Sequence, residues 1–430
     1  MKINLISRKL IKPTTQTPQH LNQYSISFTD EFCPPMNVRI LLFYTSASKR
    51  ICRLQKSLSE ILPRFYPLAG RYTKNDHVVD CNDEGAEFIE AEATDVESMD
   101  LIRAMECDQL NHFFSRQFHQ MDESAACPLL SVQATHFKCG GLAVGISVTH
   151  RIFDGSSLET FVQAWSDHSA AGGTAITPSF DSPSLLPRGD LDCTPTTDKS
   201  EMRNISICAK RFLFTAAAIT RLRYKLGREE SDPYVSRVRA VCALIAKALI
   251  NLDRARHGRS RPCLVVQAFN VRKRTVPPLR KDACGNFAVQ SVTRSMSAAE
   301  AERMSVGGLV GVLGEAIEKT TSDCSRILCA GAGGLNEMVM EPTVNAVVKS
   351  WSGEANVIWF SDWSKFEYSK TDFGWGKAEW ASIGPVAVEN TAVLTETGED
   401  GEIEAWVHLK SNHMGWFEED EGIRLFTKLM

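Results

Sequence analysis

The stretch Leu142-Ala143-Val144-Gly145-Ile146-Ser147-Val148-Thr149-His150-Arg151-Ile152-Phe153-Asp154-Gly155-Ser156-Ser157-Leu158-Glu159 changes its periodicity half-way, and that change sets the fold class. Up to Thr149, the apolar Leu142, Val144, Ile146 and Val148 alternate with the small Ala143, Gly145, Ser147 and Thr149, the two-residue period of a strand. Small residues along one face leave room for a close neighbour. Asp154-Gly155 is then a turn dipeptide, and Ser156-x-x-Glu159 reads as a capping box. Leu158, Phe161, Val162 and Trp165 follow at i, i+3, i+4 and i+7, so a helix is predicted from near Ser157. His150 to Gly155 is thus a strand-to-helix junction.

Working outward, Leu129 to Phe137 and the Gly140-Gly141 turn supply the first arm of a hairpin. Arg39 to Tyr44 is an apolar strand, and Arg53 to Leu62 puts Leu54, Leu58, Ile61 and Leu62 on one helical stripe that Pro63 ends. From Pro178 to Ser206 the prolines, serines and acids predict an extended surface linker. Beyond it, helices are expected at Thr215 to Leu226, Ser236 to Asp253 and Leu309 to Thr320. Strands are expected at Cys263 to Val271, Phe287 to Val292, Ala387 to Thr395 and Ile403 to Leu409. No repeat of solenoid or propeller length is visible.

Four hundred and thirty residues exceed one ordinary core. With 43% apolar and 23% charged residues the chain is globular, and a net charge of -4 argues against a nucleic-acid surface. No apolar run reaches the length of a membrane span, and the N-terminus has no signal-peptide core, so a cytoplasmic protein is expected. Thirteen scattered cysteines without a Cys-x-x-Cys pair suit a reducing compartment and give no zinc pattern.

Several catalytic signatures are missing. There is no Walker loop and no Gly-x-Ser-x-Gly elbow, and Gly331-Ala332-Gly333-Gly334 reads as a flexible loop after a helix. Arg254, Arg256, His257, Arg259 and Arg261 read most simply as a solvated loop. His150 stands out because it occupies the junction and has Asp154 four residues on. A structural histidine and a general base are both open on spacing alone; the end of a buried strand favours a rigidly held ring facing a cleft. Asp154 can serve the ring or turn away to fix the junction. Asp372-Phe373-Gly374-Trp375-Gly376, two glycines around a tryptophan led by an acid, reads as a tight structural turn.

These motifs together resemble the BAHD family of plant acyl-CoA-dependent acyltransferases. Thr149 to Gly155 resembles its histidine motif, and Asp372 to Gly376 reproduces its Asp-Phe-Gly-Trp-Gly motif. Phe65 to Arg71, Val79 to Asp83 with Gly85, Cys139-Gly140-Gly141, Asn270-Val271-Arg272 and Gly285-Asn286 are similar to further landmarks, in order, across nearly the whole chain. The resemblance implies an α/β protein of two similar-sized mixed-sheet domains. Domain one would span residues 1–190 and carry His150. A crossover would occupy 191–209, and residues 210–430 would carry the Asp372 motif. It further implies a channel between the domains, His150 as general base, Asp154 paired with Arg272, and an architectural Asp372 motif.

The implied reaction is direct attack of an acceptor hydroxyl on the thioester within a ternary complex, with no metal and no permanently bound cofactor. Acetyl-CoA is the expected cosubstrate. The alkaloid and terpenoid acetyltransferases look closest, and Ala283-Cys284-Gly285-Asn286-Phe287 departs from the Tyr-Phe-Gly-Asn-Cys of anthocyanin malonyltransferases, which counts against a malonyl donor. Ser236-Arg237, opening a helix whose free amides favour phosphate, is the candidate CoA contact, with Ser236 as a plain helix cap the alternative. The expected partners are small molecules only, with no nucleic acid or membrane, and the protein is expected to be a monomer. An N-acyltransferase, a longer or aromatic acyl donor, a thioesterase and a silent binding protein are the competing readings.

Overall fold

The computed structural model describes residues 1–45, 50–98, 102, 107–115, 126–188, 207–229, 235–386, 388–397 and 401–429. Residues 191–206 of the expected crossover lie outside these. The described chain forms two compact α/β units.

The first unit is built on a six-stranded mixed sheet in the order Ile3–Ile11, Ala86–Ala93, Leu130–Phe137, Leu142–Thr149, Asn37–Tyr44, Trp380–Ser382. The hairpin expected from alternation pairs Leu130–Phe137 antiparallel to Leu142–Thr149, closed by Gly140. The small-residue face has its close neighbour: a Cβ on Gly145 would fall 2.0 Å from the carbonyl oxygen of Phe113. The opposite, apolar alternation contributes Val144, Ile146 and Val148, all fully buried. Helix Ile51–Ile61 and helix Gly155–Ala171 pack on each other, and the Trp165 indole N–H donates to Ser57 Oγ at 3.0 Å.

The second unit has a seven-stranded mixed sheet in the order Ala288–Val292, Cys263–Asn270, Asn356–Asp362, Thr391–Thr395, Ile403–Lys410, Ile207–Phe214, Lys428–Leu429. Its centre is helix Arg237–His257, which buries Val241, Ile245, Ala248 and Leu249 against Leu309 and Leu313 of helix Val306–Cys324. An apolar run without a wide polar face belongs inside a layered α/β core.

Several expectations change here. The first unit contains the described residues up to Arg188 together with Arg280–Phe287 and Glu367–Pro385. The Asp372 motif therefore packs with the histidine segment and not in a C-terminal domain of residues 210–430. A linear division missed this because strand Trp380–Ser382 completes the first sheet by pairing with Leu41–Phe43. The described start of the presumed linker is packed, with Ser182 and Leu186 buried. Gly331–Leu335 is helical and runs through a π-turn at Asn336–Met340 into helix Glu341–Trp351, so it is no loop. Arg254, Arg256 and His257 form the last turn of helix Arg237–His257, where cations suit the helix dipole. Arg254 and Arg256 meet Glu302 and Glu389 there, at 3.5 and 3.1 Å.

Candidate active site

His150 follows directly on strand Leu142–Thr149, and its backbone N–H donates to Met36 O at 2.9 Å. The strand fixes the backbone, and a second group fixes the ring. Asn286 Nδ2 donates to Asp30 Oδ1 and to the His150 carbonyl, both at 2.7 Å. Both partners are acceptors, so the amide nitrogen must face them and Asn286 Oδ1 must face the ring. It lies 3.0 Å from His150 Nδ1. An amide oxygen only accepts, so the neutral imidazole carries its proton on Nδ1 and leaves a lone pair on Nε2.

Electrostatics favours the same form. Burial disfavours the charged imidazolium and outweighs the opposing pull of nearby acceptors, Asp154 and Asn286, holding His150 below the usual histidine range. A half-buried neutral imidazole with its lone pair on Nε2 can accept a proton from a hydroxyl.

Asp30 anchors the far end. It sits in the short helix Phe28–Phe32, capped reciprocally with Ser27. Its carboxylate also accepts from the Asn286 backbone N–H at 3.2 Å, and Thr29 Oγ1 donates to Asn286 O at 2.6 Å. Burial raises the Asp30 carboxyl to about 6, with the Ser27 and Asn286 donors pulling back toward the ionised form. Read along the chain, Asn286 has no evident role beyond its landmark pair with Gly285, and Asp30 does not stand out. The available signal was the Ser27-x-x-Asp30 spacing, which marks a cap and says nothing of a histidine 120 residues away (150 against 30).

Asp154 turns to the helix. It is the N-cap of Gly155–Ala171, so the capping residue is Asp154 and not Ser156. One carboxylate oxygen accepts from the Ser157 N–H at 2.8 Å and from Ser157 Oγ at 2.9 Å. The other accepts from the Phe287 N–H at 3.0 Å. Asp154 thereby ties the helix start to the loop that carries Asn286. Arg272 belongs to the second unit, where Asn270 Oδ1 accepts from its backbone N–H at 3.0 Å and its Nη1 at 3.3 Å.

The Asp372 turn is a fastening. Asp372 Oδ1 accepts from the N–H groups of Gly374, Trp375 and Gly376 at 2.7, 3.0 and 3.0 Å. Partial burial pushes its carboxyl up, but these three donors and Arg53 more than offset that and leave it below the usual carboxylate range. Phe373 is fully buried, edge-on to Trp165 with centroids 4.8 Å apart. Its carbonyl accepts from Ser169 Oγ at 3.0 Å, which ties the turn to the helix after His150. Ser236 is the N-cap of Arg237–His257, accepting from the Arg239 N–H, and Arg237 lies 3.4 Å from Glu396.

A mixed α/β scaffold in two units, with a neutral histidine aimed by an asparagine at a strand-to-helix junction, defines an acyl-CoA-dependent acyltransferase once its likenesses are added. The model of a family described as "Transferase family" matches residues 1–423. The chain belongs to this family, the BAHD acyltransferases. It is 44% identical, over 99% of this chain and 100% of the relative, to pelargonidin 3-O-(6-caffeoylglucoside) 5-O-(6-O-malonylglucoside) 4'''-malonyltransferase of Salvia splendens. It is 32% identical to vinorine synthase of Rauvolfia serpentina over 95% and 94% of the two chains. The crystal structure of vinorine synthase superposes with a TM-score of 0.77 at 27% identity, covering 96% of each chain. A Fusarium structure, F. sporotrichioides TRI101 complexed with coenzyme A and T-2, shares the fold at a TM-score of 0.75 and 16% identity, over 94% of this chain and 99% of that one.

Proposed function

We propose that the protein transfers a short aliphatic acyl group from its CoA thioester to a hydroxyl of a plant specialised metabolite, with His150 as the general base. The carrying observation is the Nδ1-protonated His150 held by Asn286, which leaves Nε2 as a proton acceptor. Nε2 takes the hydroxyl proton as the oxygen attacks the thioester carbonyl. The tetrahedral intermediate then collapses, the C–S bond breaks, and the imidazolium returns its proton to the departing thiolate. No acyl-enzyme forms, so acyl-CoA alone gives no burst of free CoA.

Malonyl-CoA is the donor favoured by the full-length likeness, since the 44% identical relative is named a malonyltransferase of a glucosylated pigment. The departure at Ala283-Cys284-Gly285-Asn286-Phe287 does not weigh against it. Ala283, Cys284 and Phe287 are buried, so the changed positions are packing positions, while the Gly-Asn pair that reaches His150 is kept. Acetyl-CoA transfer to an alkaloid or terpenoid hydroxyl is the second reading. It is supported by vinorine synthase and by a limonoid 21-O-acetyltransferase of Melia azedarach at 30% identity over 99% of this chain and 98% of that relative. A panel of malonyl-, acetyl- and hydroxycinnamoyl-CoA against anthocyanin glucosides, alkaloid alcohols and limonoid alcohols tests both. Mass gain on a glucoside only with malonyl-CoA supports the first reading. Gain on an alkaloid or limonoid only with acetyl-CoA supports the second, and hydroxycinnamoyl transfer alone overturns both. The protein is proposed to act as a cytoplasmic monomer.

A further inference from the structure

We propose that the segment Ser179–Arg188, which reads in sequence as the start of a surface linker, is a positioning element of the His150 site. It rests on the reading of His150 as base. A connecting segment ordinarily leaves its backbone to water. This one commits its polar groups to the two pieces of chain that hold the Asn286 amide in place.

On one side it grips the asparagine loop. The Ser179 N–H donates to Asp282 O at 3.3 Å, and Ser179 O accepts from the Cys284 N–H at 2.8 Å, forming a parallel bridge with Ala283. Two residues before the segment, Thr177 O accepts from Arg280 Nη2 at 2.9 Å. Ser182, fully buried, lies directly beneath Gly285. A Cβ on Gly285 would fall 2.6 Å from Ser182 Oγ and 2.7 Å from its Cβ, and Gly285 has a φ of +144°. The residue before Asn286 is therefore a glycine because the loop rests on Ser182 without space for a side chain.

On the other side it grips the aspartate helix. Leu186 O accepts from the N–H of Phe28, the first residue of helix Phe28–Phe32, at 2.8 Å. Arg188 Nε donates to Glu31 Oε2 at 3.2 Å. Between these two grips the segment is pinned by Phe180, whose ring lies edge-on to Tyr66 and Tyr24 at 5.3 and 5.9 Å. Ser182 Oγ and Tyr24 Oη share a hydrogen bond of 2.7 Å.

The Asn286 amide can reach Asp30 and His150 together only while helix and loop keep their separation. The segment spans that separation. Loosening it lengthens the Asn286 Oδ1 to His150 Nδ1 bond, and the imidazole then populates the other neutral tautomer, whose Nε2 carries the proton and cannot act as base.

The test uses full-length Phe180→Ala and Ser182→Ala, with Phe417→Leu in the second unit as a comparison that loosens a core elsewhere. Histidine ring 15N shifts, read without substrate, report the tautomer; kcat and KM are taken with the donor and acceptor pair that the panel identifies. Expected are a shift of His150 from the Nδ1-protonated pattern toward a tautomer mixture and a roughly tenfold lower kcat, with KM for the acyl-CoA within about twofold. Phe417→Leu should leave the His150 pattern as in the parent protein. If Phe180→Ala does not fold, Ser182→Ala, which removes one hydroxyl, carries the test. A parental His150 pattern in a folded variant overturns the positioning role. A shifted pattern with an unchanged kcat overturns the base assignment instead.

Discussion

At the residue scale, His150 is defined by what its neighbours leave it. Asn286 occupies Nδ1, and burial holds the ring neutral. His150→Ala should fold normally and lose about two to four powers of ten in kcat, the usual worth of a general base; a folded variant with near-parental kcat would remove it from the mechanism. Its pH dependence has a definite sign. Because the folded ring lies below the usual 6.5, the acid limb of kcat/KM should have its midpoint under pH 6.5, measured with a donor and acceptor held well below saturation. Asp30, raised to about 6, works oppositely on stability. The native state takes up its proton before the unfolded chain does, so between about pH 6 and 4 Asp30 adds stability as pH falls. His150 subtracts stability below pH 6.5, where the unfolded ring protonates first. An acid limb centred above pH 6.5 would contradict the buried neutral ring.

At the scale of elements, the strand-to-helix junction and the Asp372 turn do their work through backbone amides. Asp154→Ala should cost about 1–2 kcal/mol, the worth of an N-cap, and lower kcat because the lost Phe287 contact frees the loop behind Asn286. Asp154→Asn keeps the cap but turns an amide N–H toward the Phe287 N–H, so its melting loss should be smaller than that of the alanine. Equal losses would show that the cap is not what Asp154 contributes. Asp372→Ala leaves three amides without their acceptor and should cost about 1–3 kcal/mol, while kcat measured well below melting stays within about threefold. A collapse of kcat in a folded Asp372→Ala protein would give the turn a chemical role. Both features were legible in the sequence, since strand alternation, helix period and turn dipeptides are local patterns. The cap moved from Ser156 to Asp154 because two side chains there have capping chemistry, and Phe287, far along the chain, settles which is used. Asn286 and Asp30 could not be read as partners of His150, because a short helix and a returning loop meet the histidine only in the folded chain, and no spacing encodes it.

At the scale of the whole molecule, the linear division into halves fails where the chain returns. It passes between the two units somewhere between the described residues 188 and 207, and again at 279/280, 287/288, 366/367 and 385/386. The two late segments that enter the first unit are short, eight residues (280 to 287) and nineteen (367 to 385), yet they supply Asn286, the Asp372 turn and the sheet's edge strand. Their motifs were visible in the sequence, but nothing local says that they pack with the N-terminal half, because that contact is made only in the folded chain. Their removal has a predictable consequence. A fragment of residues 1–209, the natural cut by sequence, leaves Leu41, Leu42 and Phe43 on an uncovered strand edge and Trp165 without Phe373 against it. An apolar unpaired edge invites association, and a large aromatic without its partner loses packing worth about 1 kcal/mol beyond area. The fragment should therefore melt without cooperativity, bind a hydrophobic dye and hold no ordered His150. The same fragment fused through a flexible linker to residues 280–287 and 367–385 should recover a cooperative transition, because every segment of the first unit is then present. Cooperative melting of the 1–209 fragment alone, with the buried-tryptophan fluorescence of the intact protein, would show that the returning segments decorate a core that the N-terminal half already completes.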